Sequence, residues 1–98
     1  MRKKKNYLPQ FIRKKIETSE FFNEIDSNEE YKDLNLENYI IQFQNYKRIS
    51  FKNINFKNIS FINCNLEEIV FDHVILSNCI FEESKLSNIT FKDSKLIN

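Results

Sequence analysis

The chain has 98 residues, a length that indicates one domain. Its 15 Lys and Arg residues nearly balance its 14 Asp and Glu residues, so the net charge of +1 predicts no general attraction to nucleic acid or to acidic partners. Glycine is absent, which excludes a glycine-rich phosphate loop, and no apolar run approaches the length of about 18 residues that a membrane-spanning helix needs.

The first third of the chain divides into two segments of opposite charge. Residues 1–16 carry seven Lys and Arg and no acid, whereas residues 17–33 carry seven Asp and Glu against one Lys. We expect residues 1–8 to be a basic, disordered tail, because chain termini are rarely ordered. The alternative is that this tail contacts nucleic acid or an anionic membrane surface.

A helical segment is expected next. Pro9 suits the first turn of a helix. The apolar residues that follow it near a helical stripe are Phe11, Ile12, Ile16, Phe21, Phe22 and Ile25. We therefore predict one helix or two short ones over residues 9–26, within a helical cap that spans residues 9–33 and covers the segment after it.

From Ile49 to Asn98 a Phe or Leu recurs at every fifth position. These residues are Phe51, Phe56, Phe61, Leu66, Phe71, Leu76, Phe81, Leu86, Phe91 and Leu96. A period of five fits neither a helix nor a half-buried strand, and a fixed repeat is typical of stacked units. We expect a corner in every pentad, with the central residue and the residue two before it pointing inward. Asn, which tolerates left-handed conformations, is expected to replace glycine at the corners.

Counting backwards in fives extends the repeat to Leu34. The pentad 34–38 fits the pattern, whereas pentads 39–43 and 44–48 fit poorly and are expected to bulge. Residues 34–98 then hold 13 pentads.

These pentads resemble the pentapeptide-repeat family, whose pattern is roughly Ala/Cys/Ser/Val, Asp/Asn, Leu/Phe and two variable residues. The chain departs from it where Ile often replaces Ala. The resemblance implies an all-β solenoid: a right-handed quadrilateral β-helix of about three coils, with four pentads in each coil. Residues one coil apart should then stack. The predicted columns are Ile49, Ile69 and Ile89; Phe51, Phe71 and Phe91; and Asn58, Asn78 and Asn98.

Few residues suggest chemistry. Cys64 and Cys79 both occupy the inner small position but in different columns, so we expect two buried free thiols, compatible with a cytoplasmic protein. His73 follows Asp72 in an outward pair, where a surface histidine is expected and a metal or acid–base role is the alternative. No nucleophilic triad is recognisable. We therefore expect no enzyme activity, no metal site and no cofactor.

Two outward sets suggest a partner surface instead. The acidic set, which falls within about one coil, is Glu67, Glu68, Asp72, Glu82 and Glu83. An ordinary solvated face is expected for this set, and a local acidic patch is the alternative. The apolar set, which lies just before three successive centres, is Val70, Ile75 and Ile80. We expect the helical cap or locally shifted turns to account for the apolar set; a partner site is the alternative.

We expect a non-catalytic protein-interaction module with an unidentified protein partner. Direct nucleic-acid binding and a membrane span are not expected, and no signal peptide is visible. A homodimer through the last coil is expected because no residues remain to cover that coil. The resemblance offers one alternative, a DNA-mimicking topoisomerase (gyrase)-binding protein of the quinolone-resistance type. Another alternative is a truncated fragment without independent activity.

Overall fold

The computed structural model describes residues 14–15 and 17–98, which form a β-solenoid of about three turns and one short helix. The elements in chain order are β1 (Lys14–Lys15), α1 (Thr18–Glu24), β2 (Glu30–Gln42), β3 (Asn45–Ile62), β4 (Asn65–Asp72), β5 (Ile75–Ser77), β6 (Ile80–Glu82), β7 (Lys85–Ser87), β8 (Thr90–Lys92) and β9 (Lys95–Ile97). These nine strands belong to one sheet, and every pairing is parallel.

The strand register repeats every 20 residues. Ser50 lies between Glu30 and Val70, and Val70 lies between Ser50 and Thr90. One circuit therefore has four sides of one pentad each. Side A holds residues 30–32, 50–52, 70–72 and 90–92; side B holds 35–37, 55–57, 75–77 and 95–97; side C holds 40–42, 60–62 and 80–82; side D holds 45–47, 65–67 and 85–87.

The corners between sides are left-handed. Every fifth residue from Asn28 to Asp93 has a φ between 48° and 66°. Asn occupies half of these 14 corners, as expected, because its short polar side chain tolerates this conformation. Successive Asn side chains also bond along the column. The amide of Asn58 donates to Oδ1 of Asn38 at 3.0 Å, and that of Asn78 donates to Oδ1 of Asn58 at 2.7 Å.

Stacked side chains fill the axis, as the columns predict. The ring centroids of Phe51 and Phe71 lie 5.6 Å apart, and those of Phe71 and Phe91 lie 5.0 Å apart, with nearly parallel planes. The column begins one coil earlier than predicted, because the buried Tyr31 stacks on Phe51 at 6.4 Å. Burial of these rings contributes to the stability of the fold.

Helix α1 closes the first coil from inside. Phe21 and Phe22 of the helix are buried, as is Ile25, which follows its last residue. Phe22 stacks on Tyr39 at 5.6 Å and meets Phe61 edge-on at 6.2 Å, so it reaches the second coil. A void of only about 10 Å³ remains between the helix and the stacked residues around it. The predicted helical cap is therefore present, and it acts as a plug.

The predicted extent of the helical segment was wrong. Lys14 and Lys15 form a strand that pairs with Leu34 and Asn35, so α1 is confined to seven residues. The solenoid begins at Glu30, within the span assigned to the cap, because pairing one circuit away overrides local helical patterning. The tail at residues 1–8 and the helical residues Pro9, Phe11, Ile12 and Ile16 lie outside the described residues.

The bulge expected over residues 39–48 does not occur. Tyr39 pairs with Ile59 and Tyr46 with Leu66, in the same register as every other strand. The two pentads fit the solenoid because Gln44 is exposed and Phe43 occupies a corner. Tyr39, at the small inner position, is half-buried and stacks on Phe22 of the helix. Within the described residues, no helix has both the length and the hydropathy to cross a membrane.

Candidate interaction surface

Each side of the solenoid presents two outward residues, one before and one after its buried centre. On side B of the second coil, Phe56 is fully buried, whereas Asn55 is half-buried and Lys57 is exposed. The solenoid therefore displays its polar and charged groups on flat sides, in columns that climb one coil at a time.

The acidic set does not form one patch. Glu67 lies on side D and Glu68 on the corner after it, Asp72 lies on side A, and Glu82 and Glu83 lie on side C and its following corner. Two of these carboxylates meet cations one coil below. Glu67 lies 3.6 Å from Lys47 Nζ, and Glu68 lies 3.3 Å from Arg48 Nη1. These acids are close in sequence and lie within about one coil, but the corners between them direct their side chains onto different sides.

A cluster of possible metal ligands lies at the edge of side A. His73 Nδ1 lies 2.6 Å from Asp72 Oδ1, and His73 Nε2 lies 3.9 Å from Asp93 Oδ2. His73 and Asp93 are exposed, and the register places Asp72 between Lys52 and Lys92. The flanking ammonium groups oppose cation binding, so the cluster is better described as a surface network of mixed charge.

Side A also carries an ion pair along the column of Lys52. The Lys52 ammonium lies 2.9 Å from Glu30 Oε2, and this hydrogen bond raises the pKa of Lys52. The pair is exposed, so its contribution to stability is small.

The apolar set lies on three different sides. Val70 lies on side A, Ile75 on side B and Ile80 on side C, each in unbroken register. Val70 and Ile75 are half-buried, whereas Ile80 is 54% exposed. Helix α1 packs against β2 in the first coil, so it does not cover these third-coil residues, and the turns are not shifted.

The structure reveals an apolar surface of which the sequence pattern indicated only Ile80. Ile40 and Ile80 lie in one outward column of side C, Ile62 lies in the other, and Phe43 occupies the corner that follows. We call these four residues the side-C patch. Phe43 is 71% exposed and Ile40 is 57% exposed. Pentad 39–43 matches the repeat poorly, so the pattern does not identify its outward apolar residues as part of a surface.

The two cysteines serve the inner wall. Both are free thiols, and each lies near carbonyl oxygens of its own coil and of the coil below. Burial raises the pKa of the Cys79 thiol, which disfavours the nucleophilic thiolate. These thiols therefore act as small residues that pack the wall.

Comparison with known families agrees with this geometry. The model of "Pentapeptide repeats" matches residues 49–97 with eight copies, which is half of the chain. A search of curated proteins gives no significant match. The matched residues coincide with the part of the solenoid in which a Phe or Leu occupies every centre. The chain therefore belongs to the pentapeptide-repeat family.

Proposed function

We propose that the chain is a non-catalytic protein-interaction module that presents its outer sides to a protein partner. The observation that carries this proposal is that apolar side chains fill the interior, whereas side chains of varied chemistry project from the flat outer sides. The void between α1 and the stacked residues is about 10 Å³, which is too small for a substrate. The varied side chains point outward from a scaffold in which each strand pairs with a strand of a neighbouring coil.

Family membership supports a binding role, because solenoids of this kind generally lack catalytic activity and often mediate interactions. We further propose a cytoplasmic location, with which the free thiols of Cys64 and Cys79 are compatible.

Partner capture tests the proposal. The full chain, bearing a photo-activatable cross-linker on an exposed lysine such as Lys57, is incubated in extract of its native cells. We expect at least one protein to be enriched in near-stoichiometric amount. Competition with excess unlabelled chain should abolish this enrichment. If no protein is enriched above a heat-unfolded control, the proposed function is wrong.

The gyrase-binding alternative requires a continuous acidic stripe that resembles the phosphates of DNA. Here the carboxylates are divided among three sides, and Glu67 and Glu68 are paired with Lys47 and Arg48. We therefore expect no inhibition of gyrase supercoiling and no protection from quinolones at micromolar protein. Inhibition in that range would favour DNA mimicry over the proposed module.

Self-association through the last coil is a further part of the proposal. Leu86, Phe91 and Leu96 occupy central positions, yet they are 43–62% exposed. The equivalent Leu66, Phe71 and Leu76 one coil earlier are at most 3% exposed. A second copy that covers this end would bury these apolar side chains and pair with the strand edges of the last coil.

A further inference from the structure

The side-C patch (Ile40, Phe43, Ile62 and Ile80) is the feature that the solenoid itself does not explain. Side C has six outward positions: Ile40, Gln42, Ser60, Ile62, Ile80 and Glu82. Half of them are isoleucine, although these positions face solvent and the fold does not require apolar side chains there. On side D the corresponding residues are all polar or charged: Asn45, Lys47, Asn65, Glu67, Lys85 and Ser87.

Phe43 adds an independent observation. Its φ is 56°, in the left-handed region, where a bulky side chain costs roughly 1–2 kcal/mol. The side chain does not recover this cost by burial, since it is 71% exposed. The next corner of the same column is Asn63, a residue that suits this conformation. A strained and exposed aromatic residue is typical of a binding anchor.

The spacing of the patch fits a helix that lies parallel to the solenoid axis. Ile40 and Ile80 are two coils apart in one column, which is about 10 Å at the usual distance between strands. Side chains seven residues apart on an α-helix are separated by about 10.5 Å along its axis. At its first-coil end the patch adjoins an open cleft of about 230 Å³, which is lined by Ile40, Gln42, Asn23 and other residues and has room for a further side chain.

The acidic residues beside the patch indicate the sign of the partner's charge. Glu82 and Glu83 lie at the third-coil end, and no Lys or Arg occupies an outward position of side C or the corner that follows it. The residues below them in their columns are Ile62 and Asn63, whereas Glu67 and Glu68 each meet a cation. We propose that the side-C patch binds a cationic amphipathic helix of a partner protein, with apolar residues on Ile40, Phe43 and Ile80 and lysines beside Glu82 and Glu83. This inference rests on the proposed function and assigns it a surface.

A peptide pair tests both parts of the inference. The first probe is a fluorescein-labelled helix of about 18 residues, with Leu at every third or fourth position and Lys on both flanks. The second probe keeps the Leu positions and replaces each Lys by Glu. Fluorescence anisotropy is measured with the full chain. We expect the Lys probe to bind at least about tenfold more tightly than the Glu probe, with the difference shrinking as salt is added.

Substitutions drawn from the same columns keep the fold intact. Phe43→Asn copies Asn63, and both Ile40→Ser and Ile80→Ser copy Ser60. Each is expected to weaken binding of the Lys probe by about fivefold or more, as loss of an interface anchor does. Ile75→Asn, which copies Asn55 on side B, is the matched control and should bind as the natural sequence does. Circular dichroism confirms folding of each variant.

Several results would overturn the inference. Equal binding of the two probes would contradict the preference for a cationic partner. No binding of the Lys probe would contradict the proposal that the partner segment is an amphipathic helix. Equal effects of Phe43→Asn and Ile75→Asn on the affinity for the Lys probe would show that the side-C patch is not the binding surface. A dimer that Phe43→Asn dissolves would make a second copy the occupant. A native partner that is captured equally well by the Phe43→Asn variant would exclude this surface while leaving the proposed function intact.

Discussion

The inner position two before each centre shows how single residues join neighbouring coils. Ser84 Oγ lies 3.1 Å from both the Phe61 and Glu82 carbonyl oxygens, and it accepts the Cys64 amide hydrogen at 3.0 Å. Ser94 repeats this arrangement with Phe71, Lys92 and Val74. A small hydroxyl in the wall thus satisfies backbone groups that an aliphatic residue leaves to other partners. This accounts for the occurrence of Ser at an inward position.

Phe43 provides a prediction about stability at a corner. Replacement by Asn removes an aromatic side chain from a left-handed backbone without losing buried area, so Phe43→Asn should stabilise the fold by about 1 kcal/mol. The free energy of unfolding in urea measures this effect. The reverse change one coil above, Asn63→Phe, should destabilise by a similar amount. Destabilisation by Phe43→Asn would show that the ring supports the fold.

Tyr46 predicts how stability depends on alkaline pH. Burial is the main cause that raises the pKa of its phenol to about 12, whereas an unfolded tyrosine ionises near 10. The folded state therefore favours the neutral phenol, and its stabilisation is complete below about pH 10 and declines as pH rises towards 12. The loss amounts to roughly 2–3 kcal/mol. Urea unfolding between pH 9 and 12 measures it.

The matched variant for this titration is Tyr46→Phe. It should be less sensitive to pH over that interval, since its ring has no proton to lose, while lysine titration affects both proteins alike. Parallel stability curves for the two proteins would contradict the effect of burial on Tyr46.

Among the secondary-structure elements, the seven-residue helix α1 has a role out of proportion to its length. Phe22 packs on Tyr39 and Phe61, and Thr18 Oγ1 accepts the Glu37 amide hydrogen at 2.9 Å. These contacts fix the helix to the first coil. A terminal cap of this kind protects the end of a solenoid.

Truncation of the plug should therefore destabilise the whole domain. Phe22→Ala is expected to cost about 3–5 kcal/mol, because the side chain is 7% exposed and leaves a cavity. Asn23→Ala, on the exposed face of the same helix, should change stability by less than about 0.5 kcal/mol. Thermal unfolding of the two variants compares them directly. Similar midpoints would mean that α1 is dispensable.

The repeat made the solenoid predictable, because every pentad has the same pattern of inward residues. A pentad that departs from the pattern does not change the assignment of the others. The ends were less predictable. Lys14 and Lys15 are basic residues whose strand exists only through pairing with Leu34 and Asn35, and local patterning does not contain that information. The pentad of Tyr31 was missed because Glu29 departs from the small inner residue of the pattern.

The surface was harder to predict than the axis. Inward residues follow a rule that recurs at every pentad, whereas outward residues follow none, so the sequence alone shows Ile40 and Phe43 only as departures from the repeat. Once the register is known, Ile40, Ile62 and Ile80 fall on one side, and the acidic set separates onto three. Residues far apart in sequence define the patch, while neighbours such as Glu68 and Asp72 do not share a side.

For the molecule as a whole, the two ends differ. The first coil is closed by α1, whereas Phe91 and Leu96 in the last coil are 43% and 62% exposed. We expect the weight-average mass in sedimentation equilibrium to rise with protein concentration. Phe91→Gln combined with Leu96→Gln should suppress this rise, since it removes the apolar surface of that end.

The control for self-association is Ile75→Asn, which changes an outward residue of side B and should leave the concentration dependence unaltered. A strictly monomeric natural sequence at high concentration would contradict association through this end. Equal suppression by Ile75→Asn would point to another contact.

The 20-residue circuit also limits how such a chain can change its length. Removal or duplication of a whole circuit leaves every later side chain in its original column, so the cross-section is preserved. Deletion of a single pentad between Ile62 and Ile80 would also preserve a square cross-section, but it would rotate everything beyond it by a quarter turn. Ile80 would then lie on side B, away from Ile40. Length variants of this protein should therefore retain the fold easily, but only those that differ by complete circuits should retain the same outer surface.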